Sequence, residues 1–129
     1  MKLIAALFLL TTVNAFPAAN DNSQIQICSN LMAARSVSEL EQKSYYARGY
    51  GEVTSVYMRV ALNHVLSHLD AVKSAQLEAD PLIDSVTESV RFEINDSYSY
   101  ATYRISTASR VFNKIASDVN VLERSNSCL

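Results

Sequence analysis

EVTSVYMRVALNHVLSHLDAVKSAQLEA, residues 52–79, is the stretch whose spacing decides the fold. Met58, Leu62, Val65, Leu69 and Val72 recur at alternating steps of four and three, so their side chains fall on one face of a helix. Val56, Val60 and Leu66 widen that stripe beyond the seam of a two-stranded coiled coil. The spacing predicts a long amphipathic helix over 52–79. Asp80-Pro81 ends it and opens the next: aspartate is a good N-cap, and proline suits the first helical position, where its missing N–H had no partner. So tight a junction favours an antiparallel helical hairpin.

Working outward towards the N-terminus, Gly49-Tyr50-Gly51 marks a helix end, because glycine accepts the left-handed turn that closes a helix. A short helix over 38–48, carrying Leu40 and Ala47, leads into it. Ser36 with Glu39 and Ser38 with Glu41 both fit the reciprocal capping box that starts such a helix. An earlier helix over 23–35, capped by Asn22 or Ser23, carries Ile25, Cys28, Leu31 and Met32. Towards the C-terminus, Val86, Val90, Ile94, Tyr98, Ala101, Ile105, Ala108, Phe112, Ile115, Val119 and Leu122 keep the three–four spacing over 82–123. Either one helix of about 40 residues runs through, or two meet near Asn95-Asp96-Ser97. A local rival is a β-hairpin, since Val90, Phe92 and Ile94, then Tyr98 and Tyr100, alternate around Asn95-Asp96. The uninterrupted helical spacing favours helix there. No internal repeat stands out. The expected fold is all-α: a small antiparallel bundle of about four helical elements, the last two long.

The chain has 129 residues, and its first fifteen read as a secretory signal peptide. Lys2 precedes an apolar run from Leu3 to Leu10, and Val13-Asn14-Ala15 supplies the small residues that a signal peptidase reads. The run is too short to span a bilayer, which takes about 20 apolar residues. Cleavage is expected before Phe16, leaving a polar tail over 16–22 and a single helical domain over 23–129. The chain is expected to be secreted, with no membrane span.

Eleven Lys and Arg face thirteen Asp and Glu, for a formal net charge of −2. The two signs are interspersed, so there is no basic patch of the kind that nucleic-acid backbones select. A hydrophobic content of 49%, with two Gly and two Pro, supports a packed core rather than disorder. The two cysteines, Cys28 and Cys128, lie near the ends of the secreted chain. In an oxidising compartment they are expected to bridge, closing a loop worth roughly 4–5 kcal/mol on the chain-entropy model. The bridge also requires the two ends of the bundle to meet, and the four-element arrangement allows this.

Chemistry-bearing patterns are few. His64 and His68 share a helix face, but the residues between them are Val65, Leu66 and Ser67, without the glutamate of a zinc-protease helix. They read as polar residues flanking the apolar stripe. No serine sits in a nucleophile-elbow turn, and no glycine loop would cradle phosphate. No enzymatic role, cofactor or metal is expected. Asn95-Asp96-Ser97 is a standard N-glycosylation sequon. Tyrosine is the unusual residue: Tyr45, Tyr46, Tyr50 and Tyr57 form one group and Tyr98, Tyr100 and Tyr103 another. A tyrosine buries a large ring while its hydroxyl stays hydrogen-bonded, so the two groups are candidates for a ligand pocket or partner surface. The function expected is a secreted, non-enzymatic binding or interaction protein. Its partner would be an extracellular protein or a small apolar ligand. The alternatives are a structural component of a secreted material, or a carrier of a small apolar ligand. A carrier needs an enclosed apolar cavity, whereas an interaction module needs a dry core and an exposed patch.

Overall fold

The computed structural model describes residues 17–129, so the expected signal peptide and the expected cleavage before Phe16 lie outside the described residues. The order of elements is α1 (Pro17–Arg48), β1 (Glu52–Thr54), α2 (Ser55–Ala75), α3 (Pro81–Asp96), β2 (Thr102–Arg104) and α4 (Ile105–Ser125). A single 3₁₀ turn, Ser97–Ser99, follows α3. The expected bundle of four helices is present, and Cys28 and Cys128 are bridged with their Cα atoms 5.4 Å apart. The helices divide the chain differently from the sequence expectation, and two short strands join them.

The first difference is in α1, which runs unbroken through the two serines read as caps and starts at Pro17, within the stretch read as a tail. Ser38 is fully buried and its hydroxyl donates to the Ala34 carbonyl, 2.9 Å away. That bond to the carbonyl four residues back is how serine is tolerated inside a helix. The capping carboxylates are used along the helix instead: Glu39 pairs with Arg35, and Glu41 accepts the Tyr45 hydroxyl. Leu31, Ala34, Ser38 and Tyr45 form the buried stripe that holds α1 together across the expected break. The helix then stops where the glycines predicted. Gly49, at φ +80°, donates its N–H to the Tyr45 carbonyl, and Gly51 is also left-handed at φ +103°.

The second difference lies at each end of α2 and in the 82–123 segment. Glu52–Thr54 is a strand, and α2 begins behind it with the Thr54 hydroxyl accepting the Tyr57 N–H. Met58, Leu62, Val65, Leu69 and Val72 are buried as the spacing required, but Val56 and Val60 face solvent. At its other end α2 stops at Ala75 rather than 79, so Gln76–Asp80 links the helices where a tight junction was expected. Asp80 still caps α3, accepting the Leu82 N–H at 2.9 Å, with Pro81 at the first helical position. Residues 90–96 are helical, so the local hairpin does not form. The two-helix alternative holds, with the chain leaving α3 at Asp96 and re-entering helix at Ile105. Ser97 stabilises the exit: its hydroxyl donates to the Ile94 carbonyl and accepts from Arg59.

The strand after that exit pairs with β1 rather than with its neighbours. Val53 lies opposite Tyr103, flanked by Glu52 with Arg104 and Thr54 with Thr102 in an antiparallel ribbon. Two bonds extend it, Ser55 N–H to Ala101 C=O at 3.0 Å and Ile105 N–H to Gly51 C=O at 2.9 Å. These bonds, and the strands and helices themselves, are equivalent under a shift of fifty residues: β1 and α2 recur as β2 and α4 with matching lengths. Burial recurs with them. Met58 and Ala108, Leu62 and Phe112, Val65 and Ile115, Leu69 and Val119, and Val72 and Leu122 are all buried. The molecule is therefore two helix–strand–helix units. Pairing Val53 with its own counterpart Tyr103 is what an approximate two-fold axis between the units produces. The repeat escapes a reading of residue identities because equivalent core positions share burial, not side chain.

At the far end of α4, Cys128 is brought back towards Cys28. The Cys128 N–H bonds to the Glu123 carbonyl at 2.8 Å and the Ser127 N–H to Arg124 at 3.2 Å, with Ser127 at φ 61°. This is a Schellman turn with serine where glycine is usual. One turn earlier the Glu123 carboxylate is buried and held by the Arg35 guanidinium of α1. Hydrogen bonding to Glu123 raises the Arg35 pKa further. Removing Arg35 would leave the buried Glu123 carboxylate uncompensated, which typically costs about 3–5 kcal/mol.

Two substitutions at this end should act with opposite signs. Cys28→Ser/Cys128→Ser should lower the thermal midpoint, by a few kcal/mol of lost loop constraint. Ser127→Gly should raise it, because glycine adopts the left-handed turn without the Cβ penalty of roughly 1–2 kcal/mol. Calorimetry of both variants checks the pair; a destabilised Ser127→Gly would contradict the turn.

Candidate functional site

The ribbon decides where the tyrosines go. β1 follows Tyr45, Tyr46 and Tyr50 and precedes Tyr57; β2 follows Tyr98 and Tyr100 and contains Tyr103. Antiparallel pairing of the two strands therefore gathers both tyrosine groups at one end of the bundle, the end opposite the Gln76–Asp80 connection between α2 and α3. The segments 44–57 and 95–107 that meet there are made largely of Tyr, Ser, Thr, Gly, Asn and Arg.

The seven tyrosines do not share one role. Tyr45 and Tyr103 are buried at 1% and 7% exposure, which removes them from the candidate surface and makes them its foundation. Tyr45 packs edge-on to Tyr57, ring centres 6.5 Å apart, and against Phe112 of α4 at 5.9 Å. Its hydroxyl donates to Glu41. The inward-facing side of a two-residue alternation puts Tyr103 under the ribbon beside Val53, with its hydroxyl donated to Asp96 at 3.1 Å. Burial is the largest influence on both phenols. It pushes Tyr103 up to about 12 and Tyr45 well above its ordinary value, each helped by the neighbouring carboxylate.

Tyr46, Tyr50, Tyr57, Tyr98 and Tyr100 are exposed, Tyr50 most of all. Tyr50 and Tyr100 are counterparts in the two units and flank the ribbon on opposite sides. Tyr100 stands edge-on to Tyr103, centroids 5.5 Å apart. Tyr98 lies under the guanidinium of Arg59, which is 4.0 Å from its ring centre and is held in turn by the Ser97 carbonyl and hydroxyl. The outward face of the ribbon carries Glu52, Thr54, Thr102 and Arg104, and the Thr102 hydroxyl donates to Glu52.

The repeat shows which part of this end is unusual. Where α4 presents Ser106, Thr107 and Arg110, an ordinary solvated helix face, α2 presents Val56, Tyr57 and Val60 at half exposure or more. Sequence reasoning had placed both valines in the core and had not singled out Arg59. The helical stripe was broad enough to include the valines, and nothing in sequence tied Arg59 to Tyr98.

Two grooves flank the ribbon. One, of about 330 Å³, is lined by Asp96, Tyr100, Thr102, Tyr103, Arg104 and Thr107. The other, of about 310 Å³, is lined by Gly49, Tyr50, Gly51, Glu52, Arg104, Ile105 and Ser106. Both are open to solvent rather than enclosed. His64 is exposed, while His68 Nδ1 lies 3.0 Å from the Asn30 side-chain oxygen and ties α2 to α1. Among the described residues no three His, Cys, Asp or Glu are grouped to hold a metal ion, and no helix is long and apolar enough to cross a membrane. Asn95 is exposed on the last turn of α3, near the same end.

Raised phenol pKa values make a pH prediction with a definite sign. A tyrosine held neutral in the fold contributes its full stability below the unfolded value near 10 and loses it as pH rises through the folded value. Stability should therefore fall between about pH 10 and 12. Phe should replace Tyr103 with a flatter alkaline limb, read from thermal midpoints across that range; an unchanged limb would contradict its burial. The chain matches no protein-family model, no curated protein and no solved structure.

Proposed function

We propose that the chain is a secreted, non-enzymatic binding protein that recognises a protein partner through the tyrosine-rich ribbon end. The observation that carries this reading is the convergence of five exposed tyrosines on one end, over a foundation of buried Tyr45, Tyr103 and Phe112. Exposed tyrosine on a rigid base gives large contact area at small entropic cost. Antibody-like surfaces combine it with serine, glycine and asparagine for adaptable hydrogen bonds. The two segments that meet at the ribbon have that composition. Arg59, stacked on Tyr98, adds a residue type common at binding hot spots, and the exposed Val56 and Val60 add apolar area beside it.

The described disulfide supports an extracellular setting, where such bonds form and persist. A protein partner is favoured over a small apolar cargo because the grooves beside the ribbon are shallow and open, whereas cargo pockets bury most of a ligand's surface.

Photo-crosslinking tests the proposal directly. Benzoylphenylalanine at Tyr50 or Tyr98 should give a discrete protein adduct in extracellular fluid from the source. The same probe at Leu77, exposed at the opposite end, should give none. Tyr46→Ala/Tyr50→Ala, at the two most exposed tyrosines, should weaken binding of the identified partner about tenfold or more while the thermal midpoint changes little. Adducts from Leu77 alone, or a small apolar molecule co-purifying in native mass spectrometry without any adduct, would contradict it.

A further inference from the structure

Phe92 is a large aromatic ring left 65% exposed on α3, three residues before the exposed Asn95. Residues three apart share a helix face, so Asn95 and Phe92 lie on the same side of α3, one turn apart. Asn95 begins the sequon Asn95-Asp96-Ser97, whose hydroxyl is found in an unusual place. Ser97 is fully buried, donating to the Ile94 carbonyl at 2.6 Å and accepting from Arg59 at 3.1 Å. An acceptor asparagine is thus displayed to solvent one turn from an exposed aromatic ring, while the residue that licenses its modification is sealed in the fold.

We infer that Asn95 is an N-glycosylation site whose first sugars pack on Phe92, and that the glycan is attached before α3 docks on α2. The inference rests on entry of the chain into the secretory pathway. In the transfer step the Asn95 amide nitrogen forms a bond to C1 of the first N-acetylglucosamine of a lipid-pyrophosphate-linked oligosaccharide. The C1–oxygen bond to that carrier breaks, the lipid pyrophosphate departs, and the amide gives up one proton. The enzyme needs the asparagine and the hydroxyl two residues on in an extended, accessible peptide. In the folded chain Asn95 is helical and Ser97 is engaged by Arg59, so transfer belongs to the unfolded, newly translocated chain. Once attached, the sugar covers the Phe92 ring, since the apolar face of a pyranose stacks well on an aromatic face.

The test is expression of the full chain in insect cells, once with its own first fifteen residues and once with those residues exchanged for an established secretion signal. Intact mass is read before and after peptide N-glycosidase. Secreted protein should be heavier by one glycan, lose it on digestion, and lack it in Asn95→Gln. Purified, folded, unglycosylated protein should not be modified by the transferase and lipid-linked oligosaccharide, whereas a denatured peptide spanning 90–100 should be. The glycan should raise the thermal midpoint of the wild-type chain by a few degrees and that of Phe92→Ala by much less. Secreted but unmodified protein in both arms would overturn the site, and modification of the folded chain would overturn the order of events. An equal glycan effect in Phe92→Ala would overturn the sugar's seat. Glycosylation in the exchanged-signal arm alone would support Asn95 while rejecting residues 1–15 as a working signal.

Discussion

Val53 faces Tyr103 across a ribbon three residues wide on each side, and these two residues occupy equivalent positions in the two halves of the molecule. Isolated two-stranded ribbons are marginal in water. This one persists because each strand runs directly into a long amphipathic helix, and each helix start donates its first N–H across the ribbon, from Ser55 to Ala101 and from Ile105 to Gly51. Val53 and Tyr103 point inward and add apolar area to the core, leaving Glu52, Thr54, Thr102 and Arg104 outside. The pairing thus sets where α2 and α4 begin, and with them the register of both buried stripes. It also sets where the tyrosines lie, since they flank the strands in sequence. Without the ribbon the two tyrosine groups would belong to separate turns with no reason to share an end.

The opposite end is held by different means. There the disulfide, the Schellman turn at Ser127 and the buried Arg35–Glu123 pair join α1 to α4 within a few residues of each other. α1 is longer than its counterpart α3, and the extra turns carry Cys28 and cover the end of α4. The approximate two-fold is broken there in favour of a covalent clasp. It is broken again at the ribbon end by Val56, Tyr57 and Val60 against Ser106, Thr107 and Arg110. The core keeps the symmetry because packing requires only apolar groups of complementary volume, such as Leu62 with Phe112 and Met58 with Ala108. The surface departs from it, and that departure is where the proposed recognition lies.

Much of this was legible in the residues alone. The stripe from Met58 to Val72, the Asp80 cap of α3, the glycine stop at Gly49 and the cysteine pair each rest on strong local chemistry and took the form expected, whereas the end of α2 falls four residues earlier than its spacing implied. The strands were not legible, because a three-residue strand is too short to display a two-residue alternation. The continuity of α1 was hidden by two good capping boxes, whose local preference yields to the buried run of Leu31, Ala34, Ser38 and Tyr45. Ile94, Tyr98, Ala101 and Ile105 kept helical spacing across a break, since Tyr98 and Ala101 are exposed and their spacing carries no packing information. For the candidate site, the tyrosines were visible as an excess but not as a surface. Which of them stand out, and that Tyr45 and Tyr103 lie beneath, depends on long-range pairing that local periodicity cannot report.

The ribbon can be examined without reference to function. Bonds at Ser55–Ala101 and Ile105–Gly51 make Glu52–Arg104 and Thr54–Thr102 the non-hydrogen-bonded pairs of the ladder, in which opposing Cα atoms approach most closely. Nuclear Overhauser spectra of labelled protein should therefore show strong Hα–Hα cross-peaks between Thr54 and Thr102 and between Glu52 and Arg104. They should show no helical Hα to amide i+3 pattern crossing residues 99–103. A continuous helical pattern through those residues, with both cross-strand peaks missing, would contradict the two-unit fold and the gathering of the tyrosines at one end.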